Sequence, residues 1–206
     1  MSARRILVPR RMRLCLRRLI YFLPKMPLGL LERAFYVVAP CFWPGEIIKG
    51  IRIFDPNPET LSHSVKAVNE ALMLIEQNDP RRFERVKREI SIILRMPVAE
   101  CASYSRLTRA CMIDLRHFPL TEKPKFELVV LAGLIIHEAT HGHLFRKGIM
   151  HTKRIFQRTE TACWREEVRF ASKLGFDFRD FLPSDENLKS PELLQRFRTM
   201  YEKTEI

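Results

Sequence analysis

The sequence contains no pair of cysteines at CxxC spacing. Its five cysteines are odd in number and widely scattered over 206 residues. A disulfide framework needs paired thiols, and a structural zinc knuckle needs closely spaced ones. We therefore expect neither, and the simplest expectation is a reducing, cytoplasmic compartment.

Long apolar runs are also missing from the N-terminal part of the chain. Lys25, Glu32 and Arg33 interrupt its most hydrophobic region, whereas a helix that spans a bilayer needs about 18 apolar residues in succession. The run from Leu19 to Leu23 is too short for the apolar region of a secretory signal. We expect neither a membrane span nor a secretory signal in this part.

Acidic residues are absent from residues 1–31 and scarce up to residue 54. Residues 1–54 carry eleven lysines and arginines against two glutamates, which gives a net charge of +9 out of +12 for the whole chain. Arginines that alternate with short apolar stretches suit a segment that is peripheral to the anionic inner face of a membrane. A solvated or core-packed basic extension explains this composition equally well, and an Arg-rich transit peptide is a lesser alternative.

The remaining residues, 55–206, share a charge of only +3. Because the positive charge lies outside this part and few aromatic residues interleave with it, nucleic acid is not the expected partner. Hydrophobic residues make up 46% of the chain, which is ample for a core. We therefore expect residues 55–206 to form one folded domain and residues 1–54 to form a separate basic and apolar segment.

Hydrophobic periodicity predicts a domain built mainly from α-helices. Apolar residues recur every three or four positions over 60–77. Asp79 and Pro80 supply a cap and a first turn for a second helix, whose buried side reaches Ile93. The other predicted elements are helices over 126–147, 152–174 and 190–204 and one strand over 107–115. The pattern indicates the α+β class, mostly α.

The segment that carries chemistry is His137-Glu138-Ala139-Thr140-His141, inside the helix predicted over 126–147. Residues four apart lie one above the other on a helix, so the two imidazoles can share one cation. Glu138 is rotated by about 100° from His137 and reaches a water in the open position of the metal instead. Zinc lowers the pKa of such a water, and a carboxylate removes its proton. The spacing therefore indicates Zn2+ held by His137 and His141, with Glu138 as general base.

The surroundings of this segment favour a metal over a pair of ordinary core histidines. The flanking residues, Ile135 and Ile136 among them, are uncharged. Without a cation, three ionisable side chains in an apolar helix incur a desolvation cost of several kcal/mol unless each finds another partner. Ionisable side chains that are buried at such a cost mark functional sites more often than structural ones.

A catalytic zinc ion needs a third protein ligand, and Glu160 is the expected one. It lies 19 residues beyond His141, so an antiparallel return of the next helix brings it back to the metal. Glu166 and Glu167 compete for this role from about two turns further along. For Glu166 an ion pair with a neighbouring arginine is favoured, whereas Glu167 shares the Glu160 face and suits a partner of a ligand. Cys163 is expected to be a small packed residue.

The HEATH segment, followed by the glutamate of RTETACWREEVRFA, resembles the gluzincin branch of the zincin metallopeptidases over about residues 126–174. The resemblance implies a minimal zincin-like fold in which a short sheet packs beside the HExxH helix. It also implies that His137, His141 and Glu160 bind zinc and that Glu138 is the general base of peptide-bond hydrolysis.

An antiparallel edge strand that holds an extended substrate belongs to the same resemblance, with residues 107–115 as its counterpart. The residues after Glu160 do not reproduce the longer glutamate signature of thermolysin, the familiar member. The expected activity is that of a zinc-dependent metallopeptidase acting on a protein or peptide. The alternative is a non-catalytic zinc-stabilised scaffold or a membrane-associated interaction protein.

Overall fold

The structure is a computed structural model that describes residues 45–96, 101–118, 124–149 and 155–177. The helix predicted over 190–204 lies outside these ranges. So do residues 1–44, which form most of the basic N-terminal segment.

The described residues include a mixed sheet of five short strands. The strands are β1 (Gly45–Ile48), β2 (Ile51–Phe54), β3 (Ile92–Arg95), β4 (Ala102–Ser105) and β5 (Ala110–Ile113). Their order is β1-β2-β3-β5-β4, in which β2, β3 and β5 run parallel and each edge strand is antiparallel to its neighbour. Lys49 and Gly50 both have positive φ (51° and 84°), as a two-residue hairpin turn requires.

Helices make up most of the rest of the described chain. They are α1 (Pro58–Asn78), α2 (Pro80–Glu89), α3 (Pro124–Arg146) and α4 (Phe156–Lys173). The helix predictions over 60–77 and 126–147 are confirmed to within two residues at each end, and α4 occupies the described part of 152–174. The α+β, mostly helical class is therefore confirmed.

Asp79 divides α1 from α2, as its position before Pro80 predicts. Its backbone N–H donates to the Ile75 carbonyl at 2.7 Å and closes the last turn of α1. Its carboxylate accepts from the backbone N–H of Arg82 at 3.1 Å and caps α2. One residue thus ends one helix and begins the next.

The second helix is shorter than its apolar pattern predicts. It ends at Glu89, because the next residue, Ile90, is extended with φ of −112° and ψ of 121°. Ile93 lies in β3 instead. The buried, β-branched run of a parallel strand has the same appearance in sequence as the buried side of a helix. The burial of Ile93 was correctly expected, but it belongs to the sheet.

A strand is present within 107–115, as predicted, but it is shorter than predicted and does not lie at the edge of the sheet. Only Ala110–Ile113 forms a strand, because a turn occupies 106–109 and a 3-10 helix begins at Leu115. This strand, β5, lies between β3 and β4. The antiparallel edge strand on this side is β4, which the sequence pattern did not reveal.

Residues 45–54 belong to the sheet although their composition groups them with the basic segment. β2 pairs with β3 through Arg52–Ile92, Ile53–Ile93 and Phe54–Leu94, and Ile51 and Ile53 are buried in the main core. The boundary expected after residue 54 therefore does not separate these two strands from the domain.

Helix α3 is the central element of the described fold. It packs against α1, α2, α4 and β4. Lys125–Arg146 is long and apolar enough to cross a membrane, but 72% of its most apolar window is buried inside the protein. Burial against other helices explains why α3 is apolar on nearly every side.

Candidate metal centre

The two histidines of the HExxH segment face each other on α3. His137 and His141 are one turn apart, and their Nε2 atoms lie 3.2 Å from each other. Both residues are buried, with exposed fractions of 6% and 7%. Two imidazole nitrogens at this distance can share either one proton or one metal ion, so the geometry is compatible with a ligand pair.

Glu160 completes a triangle of donor atoms with these nitrogens. It lies on α4, and its Oε2 and Oε1 atoms are 3.4 Å from Nε2 of His137 and of His141, respectively. Ligand atoms about 2.0–2.1 Å from a tetrahedral zinc ion lie about 3.3–3.4 Å from one another. The separation of 3.2 Å between the two nitrogens is close to this value. The two separations of 3.4 Å end on different oxygens of Glu160 and bring its carboxylate close enough to both nitrogens to bind the same ion.

The charges within this triangle stabilise one another. Burial lowers the pKa of His137, but its contacts with Glu160 and Glu167 and the charge of Glu138 outweigh burial and raise the pKa to about 10. Burial acts in the opposite sense on Glu160, and its bonds to His137 and His141 nonetheless hold the pKa of that carboxyl well below its usual range. A carboxylate that stays ionised at neutral pH is suited to hold a cation.

Glu138 lies beside the triangle and is itself buried, with 4% of its surface exposed. Burial raises the pKa of its carboxyl, against the charges of His137 and His141, which lower it. A carboxylate with a raised pKa accepts a proton more readily than an exposed one does. Its raised pKa is a property that a general base needs.

Glu167 approaches His137 from the side opposite the other donors. Its Oε2 lies 3.4 Å from His137 Nδ1, slightly beyond an ordinary hydrogen bond. Among the described residues, neither atom has a hydrogen-bond partner of normal geometry. A slightly shorter separation would make a hydrogen bond between them, and an acceptor at Nδ1 leaves the lone pair of Nε2 free to bind a metal.

A glycine on α3 makes room for this carboxylate. Gly133 is one turn before His137, and a Cβ there would lie 2.8 Å from Glu167 Cγ and 3.1 Å from Oε1. Any side chain at this position would displace Glu167. Sequence reasoning missed Gly133, although a glycine four residues before a ligand histidine, on the same helix face, is a usable signal.

Glu166 faces away from the metal centre. It accepts hydrogen bonds from Arg85 of α2 at 2.9 Å and from Arg169 of its own helix at 3.0 Å, and it lies 3.3 Å from Arg82. These ion pairs hold α4 against α2. Of the two arginines expected as partners, Arg165 and Arg169, the structure pairs Arg169 with Glu166; Arg82 and Arg85 were not expected.

Two further side chains of α4 adjoin the histidines. The Trp164 ring meets the His137 ring edge-on, with centroids 5.4 Å apart and an interplanar angle of 85°. Cys163 is fully buried, and its Sγ lies within 4.8 Å of a ring nitrogen of both His137 and His141. Burial raises the pKa of this thiol, and the charge of Glu160 adds to the effect.

Two other polar side chains of this region, Tyr104 and His143, have partners outside the donor triangle. The Tyr104 hydroxyl donates to the backbone carbonyl of Glu89 at 3.0 Å, and its ring stacks on Phe145. His143 lies 3.8 Å from the Glu89 carboxylate. Neither residue therefore joins the donor triangle. His151 and the side chain of His117 are outside what the structure describes.

Comparison of the chain with protein-family models, with curated proteins and with solved structures finds no match.

Proposed function

We propose that this chain is a zinc-dependent hydrolase of peptide bonds, a minimal member of the gluzincin type. One observation carries the proposal. Nε2 of His137 and Nε2 of His141 lie 3.2 Å apart, and each lies 3.4 Å from one of the two oxygens of the Glu160 carboxylate. Two of these donors come from one helix and the third from the next, and they are accompanied by a buried carboxylate that is not a ligand.

The proposed chemistry assigns separate tasks to the residues of the centre. Zn2+, when bound by His137, His141 and Glu160, supplies a Lewis acid that polarises a carbonyl and lowers the pKa of water toward neutrality. Glu138 takes the proton from the attacking water and later delivers it to the leaving amine. Glu167 holds the orientation of the His137 ring through Nδ1.

The edge of the sheet supports a peptide as substrate. Strand β4 is antiparallel to β5 and has a neighbour on one side only within the described sheet. It packs against α3, where Gly142 lets Tyr104 approach the helix backbone closely. An exposed strand edge can bind an extended peptide through main-chain hydrogen bonds. We therefore assign to β4 the role that the resemblance implied for residues 107–115.

The proposal includes a cytoplasmic location and a protein or peptide substrate. The proposal also includes peripheral contact of residues 1–54 with an anionic membrane, in which arginines bind lipid phosphates. Nucleic acid is not a proposed partner. A non-catalytic scaffold that zinc stabilises is the alternative.

Metal analysis combined with a hydrolysis assay tests this function. The purified full chain should contain equimolar zinc and cleave members of a mixed library of quenched fluorogenic peptides. Glu138→Gln should retain the zinc and lose the cleavage, because an amide cannot accept the proton. Glu84→Gln removes the same charge from a side chain that is 65% exposed and serves as the matched control.

Three outcomes decide between the alternatives. Zinc with cleavage that only Glu138→Gln abolishes supports the hydrolase. Zinc that binds at the histidines without any cleavage, and with equal thermal stability in Glu138→Gln and the wild type, supports the scaffold. A chain that takes up no zinc contradicts both.

A further inference from the structure

A sulfur atom lies next to the proposed zinc ligands. Cys163 follows Glu160 by three residues, so both side chains leave the same side of α4. The Cys163 Sγ and one ring nitrogen each of His137 and His141 all lie within 4.8 Å of one another. Cys163, His137 and His141 are all buried.

The separation is close to what a shared ion requires. A sulfur about 2.3 Å from a tetrahedral zinc ion lies roughly 3.5 Å from nitrogens that bind the same ion. The observed sulfur–nitrogen separations therefore exceed this value by at most about 1.3 Å. A side-chain rotation moves a sulfur atom by a distance of this order. Imidazole and thiolate are both preferred donors of zinc, and thiolate is preferred still more by softer ions.

We propose that Cys163 supplies a fourth protein donor to the centre and thereby closes it. This inference rests on the proposed function, because it concerns the same metal. With His137, His141, Glu160 and Cys163 all bound, a four-coordinate ion has no open position for water. When the sulfur binds, its proton passes to bulk water. Withdrawal of the sulfur opens the centre, so the closed form is a resting state of the hydrolase.

Cobalt substitution tests the sulfur donor without relying on activity. Co2+ takes tetrahedral sites of this kind, and a thiolate bound to it gives an intense charge-transfer absorption in the near ultraviolet. The full-length wild type, loaded with equimolar Co2+, should show this absorption. Cys163→Ala should bind Co2+ but lose the band. Cys111→Ala removes another fully buried thiol, which lies on β5, and should keep the band.

The possible results separate this inference from the proposed function. Equimolar Co2+ in the wild type without a sulfur band overturns the fourth donor and leaves the triangle of His137, His141 and Glu160 intact. A band that persists in Cys163→Ala also overturns it. No bound metal in the wild type overturns both proposals. The first test uses the wild type alone, so a variant that fails to fold does not prevent a decision.

The hydrolysis rate provides a second readout. If the sulfur closes the centre, Cys163→Ala leaves the three other donors in place and cleaves peptides faster than the wild type at equal zinc occupancy. Cys163→Ser keeps the volume of the side chain and should behave in the same direction. A rate that falls in both variants, with zinc retained, contradicts the resting state.

Discussion

Gly133 and Glu167 occupy one space between helices α3 and α4. A Cβ at residue 133 would lie 2.8 Å from Cγ of Glu167, a distance that real side chains do not tolerate. The carboxylate that fills this space is 1% exposed and lies 3.4 Å from Nδ1 of His137. The glycine is therefore what allows an acidic group to be buried beneath the first histidine of the centre.

Gly133→Ala should weaken zinc binding by about 10–100-fold, the range found when a partner of a metal-binding histidine is lost. The alanine pushes Glu167 away from His137 and leaves the imidazole without its acceptor. Competition between the protein and a chromophoric chelator measures the change. Alanine normally stabilises a helix relative to glycine by about 0.5–1 kcal/mol, so a loss of affinity cannot come from a lower helix propensity.

A double variant checks that the effect passes through Glu167. Glu167→Ala lowers the zinc affinity by itself because it removes the acceptor. Adding Gly133→Ala to it should change the affinity little further, since the clashing carboxylate is already absent. Additive effects of the two substitutions would contradict the proposed link, because only coupled residues show non-additivity.

Glu160 and Glu166 form a matched pair of carboxylates on one helix. Glu160→Ala should weaken zinc binding strongly, because it removes one corner of the donor triangle and leaves only His137, His141 and the Cys163 sulfur as donors. Glu166→Ala should retain the zinc but lower the free energy of unfolding by about 1–3 kcal/mol, since Arg85 and Arg82 lose a charged partner. Zinc analysis and urea unfolding measure the two effects. An unchanged zinc affinity in Glu160→Ala would show that Glu160 is not a ligand.

The helices of this fold could be predicted because they are long and strongly periodic. Ten or more residues give a hydrophobic period several chances to repeat, as in 60–77 and 126–147. The strands are four residues each and do not allow this. Strand β3 has the same apolar pattern as the end of a helix, β4 is largely polar, and the basic composition around β2 concealed its pairing.

The candidate site was predictable where it follows from spacing along one helix. The relation of His137 to His141 is such a case, and the expectation for Glu160 needed only an antiparallel return of the next helix. The contacts of Gly133, Trp164 and Cys163 depend on how far α4 is rotated and shifted along α3. That register results from side-chain packing between helices, which a single sequence does not display.

The metal-free protein should lose stability as the pH rises above neutrality. The pKa of His137 is raised to about 10, whereas a histidine in an unfolded chain has a pKa of about 6.5. The bound proton therefore stabilises the fold fully below pH 6.5, and this contribution disappears as the pH approaches 10. The free energy of unfolding should fall by at most roughly 1.4 kcal/mol per pH unit in this window.

Urea unfolding of the chelator-treated chain at several pH values measures this slope. His137→Asn lacks the titrating group, so the difference between wild type and variant should shrink as the pH rises. Zinc replaces the proton, and its affinity should rise with pH over the same window. If the difference in the free energy of unfolding between the wild type and His137→Asn is the same at about pH 6.5 and about pH 9, the raised pKa of His137 is contradicted.

Ionised Asp55 should stabilise the fold, and this contribution should be lost at acidic pH. Its buried carboxylate follows β2 and accepts hydrogen bonds from Ser64 at 2.6 Å, Thr60 at 2.8 Å and Arg95 at 3.0 Å. Burial raises the pKa of Asp55, but these bonds and one from a backbone N–H outweigh it and hold the pKa below its usual value. The group thus joins β2, β3 and the first turns of α1.

Asp55→Asn should cost about 2 kcal/mol of stability at neutral pH, because hydrogen bonds to a charged acceptor are replaced by a neutral amide that also presents an N–H to these donors. A lowered pKa stabilises the fold above the unfolded value of about 3.9, and this contribution is lost as the pH falls through the folded value. The difference between wild type and Asp55→Asn in urea unfolding should therefore shrink below about pH 4.

Glu59→Gln removes an exposed acid from the same helix end and should cost about 0.5 kcal/mol. An equal loss in both variants would mean that charge at the helix terminus, rather than the buried bonds of Asp55, stabilises this corner of the sheet.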